Sequence, residues 1–472
     1  MDPSASPPGK VATALTAEEV YLQEEKERIR RLFTEKKLKV TRYSHQHNQD
    51  PEWFRHKKHV LICSWAGRPI FSRYGDESKL AAYMGVISAI ISNFQRCKDN
   101  VRSLVAGRHK FVFLVQGPIY LVAISCTGES EAQLKIQLEH VHLQIMSILT
   151  GSIHNTLRNR PQYDIRGLMG ETAETLITEL LSDANQSPAY HMKCINCLRL
   201  DNDCRTRVGN TLKSHRTKNL LFAVLLAGSQ VVSLVRIKDK VLHPSDLLLL
   251  INFVNNSQSL RSGEGWTPIC LPQVSTKGYV WAYVCFLQGD LSLTLITADN
   301  QDFPNLQEVK RRIVEQLIKS DDLGTVQKAI KAKPWTVSNT KTDFYELVHF
   351  LYKFDGAKQY IMPRAMHPFK GRQGLKLLMR EYRKVIDRIS LVHSDKSYTV
   401  YFHASDVSAV LAWIRPGEFE IYCTFTPLVP KEMDQEGGKI FIHASTEYMV
   451  MIEEETDATL STFVMGDSND TR

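Results

Sequence analysis

The strongest constraint in this sequence is a pattern that occurs three times. Two hydrophobic strands joined by a glycine-containing turn are followed by an apolar helix and then by another hairpin with glycine at its bend. The opening hairpins read HVLICSWAGRPIFSRYG (59–75), LLFAVLLAGSQVVSLVR (220–236) and YELVHFLYKFDGAKQYIM (345–362). Short runs rich in β-branched and aromatic residues, punctuated by glycine, are the signature of paired strands. Helices are expected from Glu77 to Phe94, Pro244 to Val254 and Leu375 to Ile389. The closing hairpins lie at 111–125, 279–297 and 407–425, with extra strands expected at 101–106, 266–271 and 398–403. Amphipathic helices are predicted after the last strand at 131–149 and 303–318.

Each unit is therefore an antiparallel sheet of about five strands with packed helices, an α+β module. A chain of 472 residues has room for about three such domains. They are placed at 53–185, 216–325 and 343–430, the last either a variant or incomplete, with linkers at 186–215 and 326–342. Residues 1–52 form a basic, mostly disordered arm, and 431–472 an atypical tail rich in acidic residues.

The three helices after the opening hairpins differ in pattern. The third is one-sided: Leu375, Leu378, Met379, Tyr382, Val385, Ile386 and Ile389 share a face, with Lys376, Arg380, Arg383, Lys384 and Arg388 largely opposite. The first (Ala81, Ala82, Met84, Val86, Ile87, Ala89, Ile90, Ile91) and second (Leu247–Ile251, Phe253, Val254) are apolar nearly all round. A helix of that kind needs cover on two sides. Its own sheet supplies one; a neighbouring domain or a second protein must supply the other.

No phosphate-binding glycine loop, dinucleotide fingerprint, metalloprotease helix or nucleophile elbow occurs, so the common enzyme classes find no support. His191, Cys194, Cys197 and Cys204 have the look of a zinc cluster, but no second ligand pair follows, and they read as incidental cysteines; no metal or other cofactor is expected. The net charge of +8 is too diffuse for a nucleic-acid binder. The longest apolar run, Leu220 to Ala227, is too short to span a bilayer. With no secretory leader and nine cysteines mostly in apolar stretches, the expectation is a cytosolic protein without a transmembrane segment. Two basic stretches, carrying Arg30, Arg31, Lys36 and Lys37 in the arm and Lys376, Arg380, Arg383 and Lys384 in the third helix, are the candidates for contact with anionic phospholipids.

Several strings, KHVLICSWAGRPIFSRYGDE, YMGVISAI, YDIRGLMG, KVLHPSDLLLLINFVNNS, GEGWTPICLP and HFLYK, closely resemble the SAND family, the Mon subunit of the Mon–Ccz complex. The resemblance runs in order from about 53 to 427. It implies three longin domains. It also implies a non-catalytic subunit of a guanine-nucleotide exchange factor, acting with an obligate Ccz subunit on the late-endosomal/vacuolar Rab GTPase. Such proteins are recruited from cytosol to endosome and vacuole membranes by active early-endosomal Rab and phosphoinositides, and serve endosome maturation, vacuole or lysosome fusion and autophagy. The rival expectation is a longin-based trafficking adaptor or tether without exchange activity.

By the same resemblance, the first domain pairs with Ccz and the joint surface holds the GTPase. That surface is assigned to Arg73, Tyr74, Tyr83, Met84, Ile87 and Ile91, with Asp76, Glu77 and Lys79 at its rim. The resemblance stops near Pro427: family members close the third domain with a helix rich in Arg, Lys and Trp, whereas this chain continues through Gly437-Gly438 and the acidic run Glu453–Glu455.

Overall fold

A computed structural model describes residues 51–236, 241–333, 335–337, 347–391 and 399–427. The basic arm and the C-terminal tail, with the candidates Arg30, Arg31, Lys36 and Lys37, lie outside the described residues.

In the first domain β1 (Lys58–Ser64) and β2 (Pro69–Ser72) form the opening hairpin, followed by α1 (Ala81–Arg96), the strands β3 (Ser103–Ala106), β4 (His109–Gln116) and β5 (Ile119–Ser125), and then α2 (Glu131–Leu149) and α3 (Arg166–Asp183). The sheet order is β2-β1-β5-β4-β3, and β1 is buried along its whole length because Val60 and Ile62 face the core shared with α2 and α3 while Leu61 and Cys63 face α1. The Ser130 hydroxyl starts α2 by accepting from the Gln133 amide, which satisfies one of the free donors of the first turn. Within α3 the backbone breaks at Gly170, whose φ of 63° suits glycine.

The second domain follows a connector holding β6 (Ile195–Asn196) and α4 (Asn202–Ser214). It contains β7 (Leu220–Ala227), β8 (Gln230–Arg236), α5 (Pro244–Asn256), β9 (Glu264–Ile269), β10 (Val280–Gln288), β11 (Leu291–Thr297), α6 (Phe303–Lys319) and α7 (Asp322–Lys331). Its order, β8-β7-β11-β10-β9, repeats that of the first sheet. The third domain has β12 (Leu347–Phe354), β13 (Gln359–Ile361), α8 (Gly371–Leu391), β14 (Thr399–Ala404), β15 (Ala409–Arg415) and β16 (Phe419–Phe425). The same winding gives β13-β12-β16-β15-β14, and β6 adds a sixth strand beside β13. The fold class and the repeat expected from the sequence are thus those observed.

One core is shared by all three sheets. Ile62 and Leu121 of the first, Val224 and Val284 of the second, and Leu351 and Tyr422 of the third belong to one contiguous apolar cluster around α2, α3, α5 and α8. The outer faces bury separate cores: under α1 in the first domain, under α4, α6 and α7 in the second, and beside Trp335 and Val337 in the third. The connector binds neighbours together. β6 pairs in parallel with β13, and Cys197, one residue beyond it, bridges Val231 of β8.

Polar groups tie the modules within this core. Asn252 of α5 donates to Gln144 of α2 at 2.8 Å and to the Leu176 carbonyl of α3 at 2.9 Å. Lys58 on β1 donates to Glu129, Gln137 and Asn185. Burial works against ionising Glu129, yet the Lys58 ammonium at 2.7 Å holds its carboxyl well below the usual carboxylate range.

Candidate partner interface

The outer helix α1 begins at Ala81, a turn later than the sequence predicts, because Asp76 and Glu77 are used in a turn. The Asp76 carboxylate accepts from the Ser78 amide at 2.9 Å, and that of Glu77 from the Ser72 amide at 2.9 Å. These two rim candidates therefore have structural partners; Lys79 is exposed.

On α1, Met84, Ile87 and Ile91 are buried against Leu61, Cys63, Phe113 and Tyr120 of their own sheet. Assigning these three to a partner surface is a correction the structure makes: they are core. Ser88, polar but buried, faces the same way and donates to the Trp65 carbonyl at 2.8 Å. The other side of the helix carries Ala82, Tyr83, Val86 and Ala89, all exposed, with Ile90 half-buried. Val86 is 60% exposed and Tyr83 37%. Positions 82, 86 and 89 recur at helical spacing, so they make one face, and the small side chains at 82, 85 and 89 permit close approach by another helix. Tyr83 leans on Trp53 with ring centroids 5.9 Å apart. The edge strand β3 adds exposed Leu104 and Val105, the latter 71% exposed.

Val86, Ala82 and Ala89 are the surface residues that sequence reasoning passed over. In a helix that is apolar all round, periodicity carries no phase and cannot say which side meets the sheet.

Arg73 and Tyr74 are half-buried beside this helix. The Arg73 guanidinium lies 5.3 Å from the Tyr74 ring centre, and Tyr74 stacks on His56 at 3.7 Å. Arg73 is close enough to Lys376 of α8 for their charges to repel. On α8, Lys376 and Arg380 are half-buried and Lys384 is exposed but paired with Glu381 at 2.8 Å. Arg383 is a second correction: it is buried and donates to the Ala184 carbonyl at 2.7 Å, closing the C-terminal end of α3, so it is not available to a membrane surface.

The cysteine cluster is dispersed by the fold. Cys194 sits in the shared core and Cys204 in the outer core of the second domain. Burial pushes the Cys197 thiol up to about 12. Among the described residues no three His, Cys, Asp or Glu side chains converge to hold a metal ion, and no helix is long and apolar enough to cross a membrane.

Three sheets of the same winding, each with its helices, define the class: a protein of three longin domains. Profiles for the first, second and third longin domains of FUZ, MON1 and HPS1 match residues 58–180, 218–315 and 346–435. Protein SAND of Takifugu rubripes is 35% identical over 384 residues, covering 81% of this chain and 73% of that protein. The vacuolar fusion protein MON1 homolog A of Gallus gallus is 34% identical over 384 residues, covering 80% and 68%. The MON1 homolog of Arabidopsis thaliana is 33% identical over 417 residues, covering 83% and 68%. The chain belongs to the SAND/MON1 family of vacuolar fusion proteins, which are membrane-trafficking factors.

Proposed function

We propose that this protein is the Mon-type subunit of a heterodimeric guanine-nucleotide exchange factor. With a Ccz-type subunit it activates the late-endosomal/vacuolar Rab GTPase, at endosome and vacuole membranes to which active early-endosomal Rab and anionic phospholipids recruit it. It acts by binding, with no reactive group of its own: a factor that holds the nucleotide-free GTPase more tightly than the loaded form must weaken nucleotide by the same factor.

The observation that supports this reading most directly is the uncovered apolar face of α1. The equivalent helix of the second domain, α5, buries its corresponding side inside the chain, whereas Val86, Ala82 and Ala89 are exposed, with nothing packed on them among the described residues. Exposed apolar residues on a single rigid face mark an interaction site.

The test is release of labelled GDP from the late-endosomal Rab by the full chain, alone and with the Ccz subunit. Acceleration only when both are present is expected. Stable assembly with Ccz without any acceleration would mean that the chain tethers rather than exchanges.

A further inference from the structure

We infer that the outer face of the third sheet is a docking surface for the chain's own C-terminal segment, with the apolar stretch 440–452 as the part that covers it.

On the side of this sheet away from α8, Phe350 and Tyr352 of β12, Leu411 of β15, and Phe419 and Ile421 of β16 are almost wholly buried. One face of a sheet reaches that state only under a second layer. In the second domain the layer on the outer face is α4, α6 and α7, and α6 alone contributes Leu306, Val309, Ile313 and Leu317. In the third, the described residues bring onto that face, from outside the sheet, Trp335 and Val337 alone. Trp335 packs on Phe350 with ring centroids 5.3 Å apart. Leu411 lies two strands further across, about 10 Å from β12, so these two side chains do not screen the whole width. The cover stops at the sheet edge: Phe402 of β14, directly opposite Leu411, is 36% exposed against 2%.

The winding of the fold identifies the occupant. In the first domain α1 lies on one face, and α2 and α3, which follow the last strand, lie on the other. In the second, α5 takes the shared core, and α6 and α7, again after the last strand, take the opposite face. α8 also takes the shared core, so the chain that follows β16 is due on the outer face, and Phe425, the last residue of β16, already lies in that core. Residues 440–452, IFIHASTEYMVMI, carry eight large apolar side chains among thirteen, whereas the connector 338–346 offers Phe344 and Tyr345, and the basic arm enters at the first domain. Residues 428–439 reach about 40 Å when extended, several times the distance from β16 to the β14 edge. Charge agrees. The acidic run Glu453–Glu455 directly after the stretch complements exposed Arg199, whose guanidinium lies 5.1 Å from the Trp335 ring centre, and exposed Arg364, whose amide donates to the Trp335 carbonyl.

The inference goes beyond the exchange reading and does not depend on it. Occupancy of this face and release of GDP are measured separately, so either can fail alone.

The experiment uses the full chain. Benzoylphenylalanine in place of Phe441 is expected, on illumination, to crosslink within the same molecule to peptides of β12, β15 or β16. The double variant I442D/V450D is expected to speed amide exchange across 409–425 at least about tenfold and to leave 58–64 of the first domain unchanged. Should the double variant misfold, the crosslink decides alone, because its carrier keeps an aromatic side chain at 441. Crosslinks to a second copy, crosslinks confined to another domain, or none at all would overturn the inference. So would wild-type exchange in I442D/V450D, or acceleration across 409–425 on deleting residues 1–50 instead.

Discussion

α1 and α5 follow the opening hairpin of their respective domains and carry the same kind of sequence, yet the structure treats them differently. Along α5, Leu247 to Ile251 and Val254 are all buried, because the sheet of its own domain covers one side and α2 and α3 of the first domain the other. Along α1 only Met84, Ile87, Ser88 and Ile91 are buried. An all-round apolar helix announces that two covers are needed. It does not announce whether the second cover is supplied by the same chain, and the comparison separates the two cases.

The largest expected effect comes from breaking the covered member of the pair. Leu250→Asp places a carboxylate in the shared core and should abolish cooperative folding, while Leu250→Ala should cost about 2–5 kcal/mol in urea denaturation. Next, Arg383→Ala, which leaves the Ala184 carbonyl at the α8–α3 junction without its donor, should cost about 1–3 kcal/mol, against less than about 0.5 kcal/mol for Arg388→Ala on the exposed side of the same helix. Equal losses for the two would mean that Arg383 is not committed to the interior.

On the open member, Val86→Asp should leave the unfolding midpoint of the isolated chain within about 0.5 kcal/mol of wild type. It should weaken capture of the Ccz subunit by about 2 kcal/mol. If Val86→Asp instead destabilised the lone chain as much as Leu250→Ala, α1 would be covered internally and the contrast would vanish.

The most gradual effect is a pH dependence confined to the covered regions. Burial pushes His140 on α2 and His349 beneath α8 down to about 4, against 6.5 for the free side chain. For a base with a lowered pKa the folded state keeps the neutral form. The contribution is full above pH 6.5 and is lost as pH falls toward 4, because the unfolded chain takes up the proton first. Each should contribute a slope of up to about 1.4 kcal/mol per pH unit in that window. His349→Gln should flatten the profile of stability between pH 6.5 and 4.5, whereas α1, with no histidine or carboxylate in Ala81–Arg96, should add nothing to it.

Much of the architecture was legible in the sequence. Alternating apolar strands with glycine at the bends located all three hairpin–helix–hairpin units, and 131–149 and 303–318 are helices, as predicted. The start of α1 was displaced because Asp76 and Glu77 resemble a first helical turn but cap a loop instead. Met84, Ile87 and Ile91 were given to a partner because phase cannot be read from a uniformly apolar helix. Arg383 was put in solvent because charge usually means exposure; nothing local reveals that the C-terminal end of α3, 199 residues earlier, requires a donor there.

The two-residue strand β6 has a practical consequence. Since Ile195 and Asn196 complete the edge of the last sheet while the next residue grips the middle one, the segment between the first two units is mortar for the third. Dissecting the protein at that segment would expose a raw sheet edge far along the chain, so fragments should inherit defects from pieces they no longer contain, and deletions are better replaced by point changes.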